Sequence, residues 1–314
     1  MTAAGHPSGY PTPEALWNAV NTRIRQSVKT NPTTTIANLQ RQFVYDRFLA
    51  RVFSTDDHKW VLKGGTALLA RVRSARHSQD VDLFRQTGTI DAAVAELQQA
   101  AALDLTDHFR FITDTVLTRP ERPGQPDTQL ATVTIDSYAG VRRVAIFKVD
   151  LVIGSVITTD PEPLRPQLTI SIDSLPTPEY LLYPLVDHIA DKICATYEVY
   201  GPDAIASSRF RDLVDLVVIA RTQIVPATAL RTAIEAERHH RALDPITSWV
   251  TPGTWRNGYE KAARGVADCA EYRTYEAATD LVARFLDPVL SGVLSSSTWQ
   301  PNQLRWTPNA DRPT

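Results

Sequence analysis

Residues 63–84 constrain the fold of this chain more than any other segment, because several structural signals fall within one short stretch, KGGTALLARVRSARHSQDVDLF. The apolar run before it predicts a strand, which ends at the glycine pair Gly64 and Gly65. Thr66 is placed to cap a following helix, and a second apolar run at the end of the segment predicts another strand. A strand, a glycine turn, a helix and a further strand indicate an α+β domain.

The glycine pair and two aspartates in this segment have complementary chemistry. Gly64 and Gly65 allow a phosphate to approach the backbone, and the N-terminus of the following helix presents free N–H groups to it. Asp80 and Asp82 are two residues apart on a predicted strand, so both side chains lie on one face. Two such carboxylates favour a cation between them, and Mg²⁺ prefers oxygen ligands, water and phosphates. Metal-assisted nucleotidyl transfer requires this combination.

Asp150 is the candidate for a third carboxylate, because it lies in the middle of an apolar, strand-forming run. An unpaired buried carboxylate is costly, which favours a metal ion or an ion-pair partner beside it. Each signal has an ordinary explanation on its own, since a glycine pair usually forms a turn and a D-x-D motif usually lies on a solvated strand face. Their order along the chain, with a later aspartate inside a strand, indicates a functional site.

A second charged cluster lies in the C-terminal half of the chain. Lys192 belongs to an apolar helical pattern, where a lysine usually extends its ammonium group to solvent. The segment RFRDLVD places Arg209, Arg211, Asp212 and Asp215 on a later predicted helix. Ordinary ion pairing between residues three and four apart explains this cluster as well as a functional role does. The residues alone leave both interpretations open.

The organisation of the chain follows from its periodicity and its prolines. A Thr-Pro pair at 12–13 predicts a helix start, and the region 108–172 is rich in β-branched residues and predicts strands. The segment after Ser296 contains several prolines and predicts a poorly packed tail. We therefore predict an α+β domain over residues 1–174 and a helical domain over 175–314. The predicted helices are 13–29, 35–53, 66–73, 89–101, 178–199, 207–221, 227–239 and 272–289.

Composition limits the class of protein. The net charge of -2, from 33 Lys and Arg against 35 Asp and Glu, excludes a uniformly basic nucleic-acid binder. The two cysteines suit a reducing compartment. The sequence shows neither an apolar run long enough to cross a bilayer nor a secretory N-terminus, so we expect a cytoplasmic protein with no membrane association.

The motif K-G-G-T-A-L, together with R-x-S-x-D-x-D-L at residues 76–83, resembles the AbiEii/AbiGii toxin nucleotidyltransferases. Residues 191–195, DKICA, and 209–216, RFRDLVDL, are similar to two further blocks of that family, D-K-x-x-A and R-x-[KR]-D-x-x-D-L. The family belongs to the DNA polymerase β-like nucleotidyltransferase superfamily. The resemblance implies a nucleotidyltransferase-fold mixed sheet with flanking helices, followed by a helical C-terminal domain.

The resemblance also implies roles for the candidate residues. Asp80, Asp82 and Asp150 would hold Mg²⁺, or Mn²⁺, and would act in catalysis. Lys192 would bind the triphosphate of an NTP co-substrate, with Asp212 positioning it or acting near the nucleophile. The nucleotide-binding residues that the motifs imply are Lys63, Gly64, Gly65, Thr66, Arg76, Ser78, Lys192, Arg209 and Arg211.

The acceptor that the resemblance implies is RNA, with the 3′ end of tRNA expected, so that nucleotide addition prevents aminoacylation and stops translation. A cognate antitoxin protein is implied as well. Two alternatives stay open: an enzyme of the same fold that modifies a protein hydroxyl or a small molecule, and an inactive nucleotide- or partner-binding module. Residues 1–90 carry 12 Lys and Arg against 6 Asp and Glu, so RNA is expected to approach over the N-terminal helices and the loop containing Arg71 and Arg73.

Overall fold

The N-terminal half of the chain folds around one seven-stranded mixed sheet. The computed structural model describes residues 7–31, 33–54, 60–119, 128–200, 205–294 and 296–309. The strands of the large sheet are β1 (Val61–Lys63), β2 (Asp80–Arg85), β3 (Phe109–Arg119), β4 (Gln129–Ala139), β5 (Arg142–Ile153), β6 (Glu162–Leu164) and β7 (Tyr180–Leu182). Their order across the sheet is β3-β4-β5-β2-β1-β7-β6.

Strand β2 is central to this arrangement because it pairs with two strands in opposite senses. It runs antiparallel to β1 and parallel to β5, while β3, β4 and β5 form long antiparallel pairs. Parallel neighbours cannot be joined by a tight turn, so the chain between β2 and β5 makes a long excursion through a helix and two strands. The predicted α+β class with a mixed sheet is confirmed.

Helices pack on one face of the sheet and at its end. The helices are α1 (Pro13–Thr30), α2 (Ile36–Val52), α3 (Gly64–Arg71), α4 (Ile90–Ala101), α5 (Leu185–Tyr197), α6 (Phe210–Thr222), α7 (Ala227–His240), α8 (Arg256–Ala263) and α9 (Tyr275–Leu290). The Thr12 hydroxyl caps α1 by accepting from the Ala15 amide at 3.2 Å, as the Thr-Pro pair predicts. Phe48 of α2 packs on Phe147 of β5, with ring centroids 5.3 Å apart, and this contact lies in the N-terminal core.

The helices after residue 184 build a second apolar core. Leu68 and Leu69 of α3 belong to this second core, whereas Ala67 of the same helix belongs to the core under the sheet. Helix α3 therefore joins the two halves. Strand β7 follows residue 174 and pairs with β1, which extends the large sheet beyond the predicted boundary. The division of the chain at residue 174 stays a prediction.

Four predicted helix starts are wrong, and two of them lie three residues too early, since α6 begins at Phe210 instead of residue 207 and α9 at Tyr275 instead of residue 272. Helix α3 begins at Gly64 instead of Thr66, and its N-cap residue, Lys63, makes no side-chain capping bond. The helix predicted from residue 178 begins at Leu185, because Tyr180–Leu182 joins the sheet as β7 instead. Sheet pairing is a long-range interaction, so the local pattern around residue 180 does not reveal it.

The predicted loose tail is also wrong for the residues that the structure describes. Strands β11 (Ser297–Gln300) and β12 (Arg305–Pro308) form a hairpin that pairs with β10 (Val225–Pro226), and residues 310–314 lie outside the described part. Trp299 is fully buried, and its ring centroid lies 4.9 Å from that of Phe285 in α9. The remaining strand pair consists of β8 (Val199–Tyr200) and β9 (Ile205–Ala206).

Candidate active site

A cleft of about 440 Å³ lies between the sheet and the helices α5, α6 and α7. Its sheet side is formed by the ends of β1 and β2, the start of α3 and the adjoining parts of β4 and β5. Each residue that the sequence singles out for catalysis or nucleotide binding lines this cleft, with the exception of Thr66. The structure therefore brings together segments that are up to about 150 residues apart in the chain.

Three carboxylates lie on neighbouring strands at the base of the cleft. Asp80 and Asp82 are on one face of β2, and Asp82 is directly opposite Asp150 in the parallel pairing of β2 with β5. Burial, together with the negative charges of Asp80 and Asp150, raises the pKa of Asp82 to about 7. Three crowded carboxylates create a strongly negative site that favours a bound cation.

Hydroxyl groups hold two of these carboxylates in place. Ser78 donates from Oγ to Asp80 Oδ1 at 2.8 Å, and Thr132 of β4 donates from Oγ1 to Asp150 Oδ1 at 2.5 Å. Arg119 in turn donates from Nη2 to Thr132 Oγ1 at 3.0 Å. Sequence reasoning missed Thr132, because only the register of β4 against β5 places it beside Asp150.

The glycine turn fits closely against the carboxylates. Gly64 has a φ of +66°, and a Cβ atom at this position would lie only 1.8 Å from Asp82 Oδ2. Only glycine satisfies both requirements, since it has no Cβ and adopts positive φ readily. Thr66 is buried and donates from Oγ1 to the backbone oxygen of Asp80 at 2.9 Å, so it ties α3 to β2 and does not cap the helix.

Lys63 joins the sheet to the helical half. Its ammonium group donates to Asp191 Oδ1 at 3.2 Å and lies 4.6 Å from the centre of the Tyr183 ring. Arg241, after the end of α7, donates to the same Asp191 oxygen at 2.6 Å. Sequence reasoning gave no role to Asp191, although it precedes Lys192 in a quoted motif, and no local signal pointed to Arg241.

A buried ion network forms the helical wall of the cleft. Lys192 donates to Asp212 Oδ1 at 2.9 Å and to Asp215 Oδ2 at 2.6 Å. Arg209 binds Asp212 at 2.5 Å, and Arg76 binds Asp215 at 2.8 Å. Each buried anion therefore has two cationic partners, which offsets the cost of its burial.

The charges in this network shift the ionisation of its members. Burial opposes the charged form of Asp212, but Lys192 and Arg209 outweigh it and lower the pKa to about 2. Burial likewise opposes the charged form of Lys192, yet Asp212 and Asp215 raise its pKa above the ordinary value. The network is therefore fully ionised at neutral pH. Asp215 was absent from the predicted site residues, and its position three residues after Asp212 was the available signal.

The remaining arginines differ in exposure. Arg211 is exposed at the cleft, with its guanidinium 5.5 Å from the centre of the Phe210 ring. Arg71 forms an ion pair with Glu162 and also donates to a backbone oxygen, whereas Arg73 is exposed. The pairing of Arg71 leaves less positive charge for RNA on this loop than the sequence suggests.

Two features are absent from the residues that the structure describes. These residues contain no group of three or more His, Cys, Asp or Glu side chains arranged to hold a metal ion on their own. Among these residues, no helix is both long and apolar enough to span a membrane.

The fold is that of a nucleotidyltransferase of known structure. A similar solved structure is MenT4, a nucleotidyltransferase toxin from Mycobacterium tuberculosis H37Rv, which is 15% identical in sequence. The similarity covers 88% of this chain and 90% of MenT4, with a TM-score of 0.54. JHP933 from Helicobacter pylori is 14% identical, with 81% of this chain and 93% of that chain covered and a TM-score of 0.45.

Residues 47–298 match the sequence model of a family described as nucleotidyl transferase AbiEii toxin, type IV toxin–antitoxin system. The protein belongs to this family, and the resemblance inferred from its motifs is confirmed. Among curated proteins, no sequence matches the chain. Membership in a toxin–antitoxin family implies a nucleotide substrate and an antitoxin partner.

Proposed function

We propose that this protein transfers a nucleoside monophosphate from an NTP to the 3′ hydroxyl of an RNA, with tRNA as the acceptor, and thereby stops translation in the cytoplasm. The observation that carries the proposal is the position of Asp80, Asp82 and Asp150 beside the turn at Gly64 and Gly65 in one cleft. Such a turn accepts the phosphates of a nucleotide, and the carboxylates hold the cation that accompanies them. A nucleotide added to the 3′ end of tRNA prevents aminoacylation.

The three aspartates suit Mg²⁺, or Mn²⁺, as the bound cation. Burial and, to a smaller extent, the charges of Asp80 and Asp150 raise the pKa of Asp82, and a divalent ion would offset this cost of ionisation. Mg²⁺ commonly binds through one or two carboxylates and completes its shell with water and substrate phosphates, so Asp82 with Asp80 or Asp150 is sufficient. When bound, the ion supplies charge neutralisation at the phosphates.

Lys192 and Arg209 are the cations that we assign to the triphosphate. Lys192 uses two of its three ammonium hydrogens on Asp212 and Asp215, which leaves the third for a phosphate oxygen. Arg209 is held at Nε by Asp212, and its side chain is 40% exposed. Arg209 lines the cleft, and a guanidinium group at this position suits the recognition of a phosphate.

The transfer itself is an in-line displacement at the α-phosphorus. The acceptor hydroxyl forms a new O–P bond as the bond to the β-phosphate oxygen breaks, the hydroxyl proton is released, and pyrophosphate leaves. Thr132 fixes the carboxylate of Asp150 opposite Asp82, so the two strands keep the reacting groups in register. Positioning of this kind accounts for much of the rate enhancement in phosphoryl-transfer enzymes.

Label transfer from α-³²P-NTP in the presence of Mg²⁺ tests the proposal. Total RNA and total protein are offered separately, and the wild type is expected to label RNA, with the label at tRNA 3′ ends. Asp80→Ala is expected to lose transfer, whereas Asp280→Ala, at an exposed position on α9, is expected to retain it. Label in the protein fraction would reassign the acceptor, and unchanged transfer by Asp80→Ala would refute the assignment of the site.

A further inference from the structure

The side of β5 that carries Asp150 is open to solvent beyond the cleft. Side chains alternate along this strand, with Phe147 and Val149 buried in the N-terminal core. Ile146 and Lys148 lie on the opposite side, the side of Asp150, and both are exposed. The wall of the cleft therefore continues as a sheet surface that the described residues leave exposed.

The neighbouring strands extend this surface with an aromatic and a cationic group. Tyr138 of β4 is opposite Arg110 of β3, and the Arg110 guanidinium lies 4.9 Å from the centre of the Tyr138 ring. Ile112, two residues after Arg110, is 40% exposed on the same side. We call the surface formed by Arg110, Ile112, Tyr138, Ile146 and Lys148 the open face.

The open face and Thr132, which binds Asp150, share one side of β4. Thr132 lies six residues before Tyr138 on the same side of β4, a distance of about 20 Å along the strand. Arg119 donates to Thr132, and Thr132 donates to Asp150. A chain molecule lying along β4 would therefore reach from the Arg110–Tyr138 stack to the reaction site without leaving the surface.

The charge of this region complements a phosphate backbone. Asp136 and Asp114 are the acidic groups on β3, β4 and β5 apart from Asp150, and Asp136 is 3.7 Å from Arg143. The exposed basic residues on the same strands are Arg110, Arg119, Arg142, Arg143 and Lys148. Positive charge interspersed with an aromatic ring and exposed aliphatic groups favours single-stranded RNA, whose bases stack while its phosphates are neutralised.

We propose that the open face binds the single-stranded 3′ end of the acceptor RNA and leads its terminal hydroxyl to Asp150. The proposal rests on the proposed function, because it requires an RNA acceptor. It differs from the route over the N-terminal helices that the charge distribution of the sequence suggests.

The test compares Arg110→Glu/Lys148→Glu with the matched charge reversal Lys261→Glu/Arg284→Glu, which changes exposed residues of α8 and α9 outside the cleft. Unfractionated tRNA is the probe, binding is measured by fluorescence anisotropy, and transfer is measured with α-³²P-NTP. We expect the open-face variant to raise the KM for tRNA at least tenfold and the KM for NTP by a smaller factor, since Lys148 lies opposite Asp80 in the pairing of β5 with β2, with the control equal to wild type. The slope of the logarithm of the binding constant against the logarithm of the salt concentration should become less steep by about 1.4. The reason is that two phosphate contacts are lost and each contact to a single strand contributes about 0.7 to the slope.

Each outcome separates this proposal from the proposed function. If the wild type labels tRNA and both variants keep its KM, the open-face proposal is overturned and the proposed function stands. If the wild type labels no RNA, the proposed function fails, and the anisotropy measurement then tests the open face by itself. Weaker tRNA binding by the open-face variant, but not by the control, would support RNA binding at this face. Equal tRNA binding by both variants would overturn the open-face proposal. Lost antitoxin binding with unchanged tRNA binding would assign the face to a protein partner and overturn the proposal. Arg110→Gln/Lys148→Gln provides the same comparison if charge reversal impairs folding.

Discussion

Replacing Lys192 with methionine tests whether the ion network of the helical wall stabilises the fold through charge. The Lys192 side chain is 3% exposed and binds two buried carboxylates, those of Asp212 and Asp215. Methionine has a similar length and no charge, so the variant keeps most of the packing while it removes the shared ammonium group. Asp212 then retains Arg209, and Asp215 retains Arg76.

The expected loss of stability follows from the depressed pKa of Asp212. This pKa is lowered from 3.8 to about 2, which corresponds to about 2 kcal/mol in favour of the charged form. The pKa of Asp215 is lowered as well, so its loss of a partner adds to the effect. Breaking a buried ion pair costs about 3–5 kcal/mol, and the remaining arginines place this variant near the lower limit. For a chain of this length, about 3 kcal/mol corresponds to a fall in Tm of about 5 °C.

The pH dependence of the stability loss distinguishes an effect of the lost charge from an effect of altered packing. A carboxylate with a depressed folded-state pKa contributes stability that is present above pH 3.8 and is lost as the pH falls towards 2. In Lys192→Met the pKa of Asp212 rises, because burial raises this pKa and only Arg209 remains to lower it. The stability difference between wild type and variant is therefore largest at neutral pH and shrinks on acidification.

Thermal unfolding followed by circular dichroism at pH 7.5 and at pH 2.5, which lies inside the range where the stability is lost, measures this difference. Lys261→Met, at an exposed position on α8, is the matched control and is expected to leave the Tm unchanged. A loss of the same size at both pH values would show that packing explains the effect. An unchanged Tm at pH 7.5 would refute the assigned stabilisation by charge.

Two further substitutions test the glycine turn and the C-terminal hairpin. Gly64→Ala is expected to lower kcat/KM at least about 100-fold, because its Cβ would displace Asp82 and small misplacements of reacting groups cost about that much. Gly292 is the matched control, because its φ is +74° and an added Cβ would have nothing within 4 Å. Gly292→Ala should therefore lower stability but not activity, and equal losses of activity in both variants would contradict this reasoning. Trp299→Ala is expected to cost about 3–5 kcal/mol in urea unfolding, since the ring is fully buried against Phe285. Unchanged stability would show that the hairpin is dispensable.

Elements with strong local signals could be predicted closely from the sequence. The helix predicted over residues 13–29 is observed as Pro13–Thr30, because a Thr N-cap and a proline at the first position fix its start locally. The strand predicted at the end of the segment 63–84 is observed as Asp80–Arg85. These signals act within a few residues, so they do not depend on the rest of the fold.

Elements stabilised by distant partners could not be predicted in this way. Strand β7 is three residues long and exists because β1 and β6 lie on either side of it. The hairpin β11–β12 follows a stretch that the sequence marks as a proline-rich tail, yet Trp299 finds a buried position against Phe285 and donates from its indole to the Ala220 carbonyl oxygen. Such contacts depend on which surfaces meet, and local composition carries no information about that.

The sequence by itself determined which chemical groups are available: a glycine pair, two aspartates on one strand face, a later aspartate in an apolar run, and a lysine with a charged cluster. Tertiary structure decided which of them meet. The parallel pairing of β2 with β5 brings Asp150 opposite Asp82, and the packing of α5 on α6 places Lys192 between Asp212 and Asp215. The physical reason is that strand neighbours and helix contacts are fixed by the burial of distant apolar faces, whereas the spacing of residues in a motif fixes only local geometry.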